Sequence, residues 1–331
     1  MDTRKVQITG GASYMITLPK EWIQSLNIKK NDTLGLVIQP DKTLTITPYT
    51  TTEHTQKTKK LDADTITNPA YLYRYLIGSY IAGYNNIEIK SQKKLTPPIK
   101  NAIRTFTRTA IGQEIVEETE NRILIKDLLN PKEMPVENTL KRFYLIVKGM
   151  HEDAINSLGT YDKQLSEDVI KQENETNRLH WLIARHLNLI MNDTTLATTM
   201  NTTTWTANSY YRVSMNLEHI GDHAVIIAKN NVEIKEKKID EKTLTDIKNA
   251  SKQAITILNE SMESLFKKDI NTAQKNMDLM EKLQTQCQQI HTRLQHQKNP
   301  TTVQLSYITT SIERTGEFSK NISEQMIDYL V

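Results

Sequence analysis

The chain repeats itself, and that repeat limits its fold more than any other feature. Glu218-His219-Ile220-Gly221-Asp222 returns 95 residues later as Glu313-Arg314-Thr315-Gly316-Glu317. Two long segments with apolar residues at helical spacing precede each copy: 140–158 and 163–191 before the first, 247–266 and 269–297 before the second. Within 140–158 the stripe is Phe143, Ile146, Val147, Met150, Ala154 and Leu158, one face of a 3.6-residue helix. Glycine and proline are scarce from Val136 to the end. A three-helix unit occurring twice, over about 136–232 and 240–331, lets these stripes cover one another.

The repeated pentapeptide carries the chemistry. Glu218 and Asp222 are four apart, as are Glu313 and Glu317, so each pair lies on one helix face about a turn apart. Like charges at that spacing repel by a few tenths of a kcal/mol unless a cation sits between them. An isolated pair is ordinarily a solvated helix face; its recurrence keeps a divalent or trivalent metal open beside that reading. The glycine inside each copy costs roughly 1 kcal/mol in a helix and implies close approach of a neighbouring helix. His219 and His223 are also four apart, but a zinc-protease helix needs Glu after the first histidine, where this chain has Ile220. Cys287, with His291 four residues on, is expected to be structural. Met277, Met280, Trp181 and Trp205 are expected to be packing residues. The chain lacks a Walker loop, a nucleophile elbow and a dinucleotide fingerprint.

The front of the chain has a different texture. Lys5–Ile8 and Ser13–Leu18 alternate around Gly10-Gly11, Pro19–Leu26 predicts a short helix, and two further strands flank a turn at Pro40-Asp41-Lys42. Fifty residues with so little apolar area are marginal alone, so pairing with another chain is expected. Residues 51–60 read as a polar linker, and 68–129 alternate helix and strand as a small α/β unit. Residues 1–110 carry 16 Lys/Arg against 8 Asp/Glu, whereas 111–331 carry 26 against 31. A basic front attracts polyanions, and an acidic rear suits cations or a basic partner. There is no transmembrane run, no apolar signal core and a single cysteine, so a soluble cytoplasmic protein is expected.

Two resemblances become specific on these residues. Residues 4–48, through Gly10-Gly11-Ala12-Ser13-Tyr14, Leu18-Pro19-Lys20-Glu21-Trp22 and Lys29-Lys30-Asn31-Asp32, resemble the AbrB/SpoVT/MazE-type domain, with Asn31 where glycine is usual. The resemblance implies a swapped-hairpin homodimer whose basic face binds DNA through Arg4, Lys5, Ser13, Lys20 and Lys29. Residues 1–50 hold six Lys/Arg and four acids, a modest surplus, and the same fold also serves as a dimerisation or partner-binding module. Residues 136–331 resemble the PhoU domain, two three-helix repeats whose E(D)-x-x-x-D motifs bind multinuclear metal clusters. By position this implies Glu218, Asp222, Glu313 and Glu317 as ligands. Glu173 and Glu281 join them from the middle helices, with Asn177 and Met277 as departures. Fe, Mn, Mg or Zn would be the metal.

The fold class expected is therefore α+β. An N-terminal swapped-hairpin β domain (1–50) leads through a linker and small α/β domain (51–135) to a PhoU-type pair of helical repeats (136–331). The whole layout resembles archaeal PhoU-like regulators. It implies a non-enzymatic, phosphate-responsive regulator that binds DNA, or an adaptor acting on a phosphate transporter or sensor kinase. A metal-dependent enzyme would need an open ligand position and a nearby base, and the sequence offers neither.

Overall fold

The computed structural model describes residues 2–38, 42–48, 57–66, 68–234, 239–296 and 300–331, and the chain divides into two compact units, 1–56 and 57–331. In the first, β1 (Gln7–Thr9) and β2 (Ser13–Met15) form an antiparallel hairpin. Gly10 and Gly11 turn it with φ of +65° and +83°, a region that side-chain-bearing residues rarely adopt. Helix α1 (Lys20–Ser25) follows, with Pro19 at its N-cap rather than inside its first turn. Strands β3 (Gly35–Ile38) and β4 (Leu44–Thr47) make a second hairpin. Its expected turn at Pro40-Asp41 lies outside the described residues. Asn31 has φ 75°, so it does take the glycine-like conformation its place in the turn demands.

The second unit begins with a strand where a linker was expected. β5 (Thr58–Asp62) pairs in parallel with β6 (Asn86–Lys90), and the sheet continues through β8 (Arg122–Asp127) to β7 (Gln113–Glu118), both antiparallel. Lysines disguised β5 as linker. It is an edge strand, where alternate exposed residues are properly polar. Helices α2 (Pro69–Ile81) and α3 (Pro97–Thr109) share a core with the sheet. Leu72, Leu76, Tyr80, Ile87, Ile89, Ile103, Phe106, Ile123 and Ile125 are buried together. Asn68 caps α2 through the Ala70 amide, and Pro69 sits where its missing N–H costs nothing.

The remainder is helical: α4 (Val136–Thr160), α5 (Lys163–Asn192), a short α6 (Thr194–Thr199), α7 (Thr204–Glu233), α8 (Glu241–Lys267), α9 (Ile270–Gln295) and α10 (Thr302–Leu330). The first two helices of each repeat are joined by the same device. Tyr161 and Lys268 take left-handed backbones (φ 58° and 57°), and Asp162 and Asp269 then cap α5 and α9. Among the described residues helix α6 has no counterpart in the second repeat. Among the same residues neither repeat has a core of its own. One cluster joins Phe143, Leu179 and Leu217 to Leu258 and Ile322, and the other joins Met150, Val169 and Val225 to Leu283 and Ile312.

The α/β unit is anchored to this bundle. Buried Arg185 of α5 donates to the Tyr80 carbonyl and to the carboxylate of Asp127, and its guanidinium lies over the Tyr80 ring. No described helix is long and apolar enough to cross a membrane.

Candidate metal centre

Helix α7 presents Glu218, His219 and Asp222 together, with one ligand atom from each inside a 4.8 Å set. His219 Nδ1 stands 3.2 Å from Glu218 Oε2. Gly221 sets the approach of the neighbouring helices. A Cβ there would touch Thr176 Cγ2 of α5 at 3.4 Å and Val147 Cγ2 of α4 at 3.6 Å. With α5 that close, Glu173, one turn before Thr176, acts on the pair. Burial, then Asp222, then Glu173 push the Glu218 carboxyl up; burial and Glu173 do the same to Asp222. Among the described residues no lysine or arginine forms an ion pair with Glu173, Glu218 or Asp222. Glu173 lies outside the ligating set and Lys229 pulls Asp222 back in part, but two half-buried carboxylates beside an imidazole, with no ion-paired cation, fit a divalent or trivalent metal.

The second repeat is built differently. Glu313 is pushed up by burial and by Glu317, with His291 and Arg314 pulling it back. Arg314 Nη1 donates to Glu317 Oε2 at 2.6 Å. Counted from the shared Tyr161-Asp162 and Lys268-Asp269 caps, the counterpart of Glu173 is Met280, whose Sδ would stand 2.9 Å from a Cβ at Gly316. Glu281 is exposed on α9. Among the described residues only Glu218, His219 and Asp222 bring three metal-ligating groups together. The donor set of the second repeat does not fit a metal.

The PhoU domain matches residues 140–230 and 247–326, together just over half of the chain. The chain belongs to the PhoU family. A second family, "Antidote-toxin recognition MazE, bacterial antitoxin", matches residues 7–53. PhoU from Pseudomonas aeruginosa is similar in structure with a TM-score of 0.54 at 17% identity, covering 61% of this chain and 98% of that one. The phosphate transport system regulatory protein PhoU from Streptococcus pneumoniae gives 0.51 at 18%, covering 59% and 92%. Such identities establish a shared fold. No curated protein matches the chain by sequence.

In this PhoU-family chain the other candidate residues fall as follows. His223 does not join the metal group; it stacks on Phe318 of α10 at 5.8 Å and is pushed down to about 4 by burial, with Arg314 adding to the effect. Cys287 is fully buried and its thiol is pushed up to about 12, first by burial and then by Glu313, which makes it a core residue. Met280 and Trp181 pack into cores. Met277 and Trp205 do not: they are 38% and 61% exposed, Trp205 with its indole N–H directed at the Tyr329 carbonyl. In the N-terminal unit Arg4, Lys5, Ser13, Lys20 and Lys29 are all exposed, and Arg4 is paired with Asp2 at 2.6 Å. Sequence reasoning missed His219, because it weighed that residue only with His223. The adjacent Glu218 was the available signal. It also missed the Arg185–Asp127 anchor, whose partners lie far apart in the chain.

Proposed function

We propose that the chain is a phosphate-responsive regulator of phosphate uptake that acts as a homodimer on DNA. The observation that carries the dimer is the N-terminal unit itself, in which no described residue is buried. Val6, Ile8, Tyr14, Leu36 and Ile38 are 63–79% exposed, an apolar surface of the kind a second copy would cover. The two copies would together present Arg4, Lys5, Ser13, Lys20 and Lys29 to phosphates. Membership of the PhoU family supports the link to phosphate transport. Glu218, His219 and Asp222 would hold the metal, an Fe, Mn, Mg or Zn ion. Such an ion supplies the positive charge those carboxylates lack.

An adaptor acting by contact with a phosphate transporter or sensor is the second reading. It is favoured by the modest charge of residues 1–50 and by the engagement of Arg4 with Asp2. Titration of labelled DNA from upstream of phosphate-transporter genes, at several salt concentrations, separates the two. The transcriptional reading requires tight binding that weakens steeply with salt and is lost in an Arg4→Ala/Lys5→Ala/Lys20→Ala variant. Affinity no better than for random DNA refutes it and leaves the adaptor.

A further inference from the structure

The two acidic motifs correspond position by position: Glu218 with Glu313, His219 with Arg314, Gly221 with Gly316, Asp222 with Glu317. One exchange changes the chemistry. A neutral imidazole offers a nitrogen lone pair to a metal; a guanidinium is always charged, only donates, and repels a cation. Arg314 makes a hydrogen-bonded ion pair with Glu317, and with His291 it counteracts the charge that Glu317 imposes on Glu313. We propose that Arg314 is a built-in counter-ion that stands where a metal would in the second repeat, so that metal binding is confined to the set around Glu218, His219 and Asp222.

Two further features agree. The middle helix of the second repeat places Met280 where the first has Glu173, so a carboxylate is missing as well as a charge supplied. In the first repeat the opposite holds: Glu218 and Asp222 share one ligand set with His219, and no described lysine or arginine is ion-paired with either. A guanidinium also answers the question posed by the conserved spacing of the acids within the chain. Glu313 and Glu317 keep their places because their mutual repulsion is relieved from within, without an ion from solution.

The inference rests on the first-repeat cluster being a metal centre, and one experiment separates the two. The full chain is stripped with chelator, dialysed to equilibrium against Zn2+ and in parallel against Mn2+, and its metal content measured by elemental analysis. Thermal melting in chelator checks that each variant is folded. Wild type is expected to retain metal, and Glu218→Gln/Asp222→Asn and His219→Arg to lose at least tenfold in affinity. Glu313→Gln/Glu317→Gln should retain the wild-type amount, and Arg314→His should gain ions the wild type lacks. Metal lost from Glu313→Gln/Glu317→Gln overturns the inference while leaving the first-repeat centre standing, and so does Arg314→His gaining nothing. A wild type that holds no ion overturns both.

Discussion

Replacing Gly221 by alanine should stabilise the chain and replacing Gly316 should not, although the two glycines occupy the same place in the repeat. Each substitution removes about 1 kcal/mol of helix-interior penalty. At Gly221 the new methyl would meet Thr176 Cγ2 at 3.4 Å and Val147 Cγ2 at 3.6 Å, which are ordinary contacts. The gain should survive, raising the melting temperature by roughly 2–4 °C for a helical domain of this size. At Gly316 the methyl would overlap Leu283 Cδ2 and come within 2.9 Å of Met280 Sδ. Leu283 is fully buried and Met280 is 3% exposed, so neither can swing into water. Overpacking a core costs about 1–3 kcal/mol, which cancels or outweighs the helix gain. Urea and thermal unfolding in chelator, where no metal contributes, measure both variants against wild type. Equal stabilisation by the two alanines would refute the argument that α9 is packed against Gly316 more tightly than α5 is against Gly221.

Arg185→Met should destabilise the chain by about 3–5 kcal/mol, because it strands a buried carboxylate. Asp127, 5% exposed at its side chain, would lose its cation, and unfolding monitored by circular dichroism should recover part of the loss when Asp127→Leu is added. Stability should also fall with acid. His151 is fully buried, hydrogen-bonds Ser251 at 2.9 Å, and is pushed down to about 4 by burial, with His223 adding to the effect. Its folded value lies below its unfolded one of about 6.5, so its contribution is complete above that pH and drains away toward pH 4, by about 3 kcal/mol at most. His186, pushed down to about 3 by burial and Arg185, acts in the same sense. Urea midpoints between pH 7.5 and 4.5 test this, with a flatter profile expected for His151→Gln; a stability that rises on acidification contradicts it.

The sequence alone determined what depends on local chemistry. Helical periodicity, the recurring pentapeptide and the glycine turn at Gly10-Gly11 are properties of neighbouring residues, and they sufficed for the helical repeats and the hairpins. The positions of Glu218 and Asp222 on one face followed from the 3.6-residue turn. Tertiary structure decided what depends on which elements meet. Residues 58–62 became a strand because Asn86–Lys90 offered an edge to pair with, and no periodicity within five lysine-rich residues could announce it. Glu173 came near enough to act on the first-repeat pair, and Met280 stood at its counterpart, because of the registers in which α5 packs at Gly221 and α9 at Gly316. Arg185 and Asp127 are 58 positions apart, and only packing of the α/β unit on α5 makes them partners. Spacing along one helix shows which side chains share a face, but the position of that face against another helix is set by the interlocking of side chains from both.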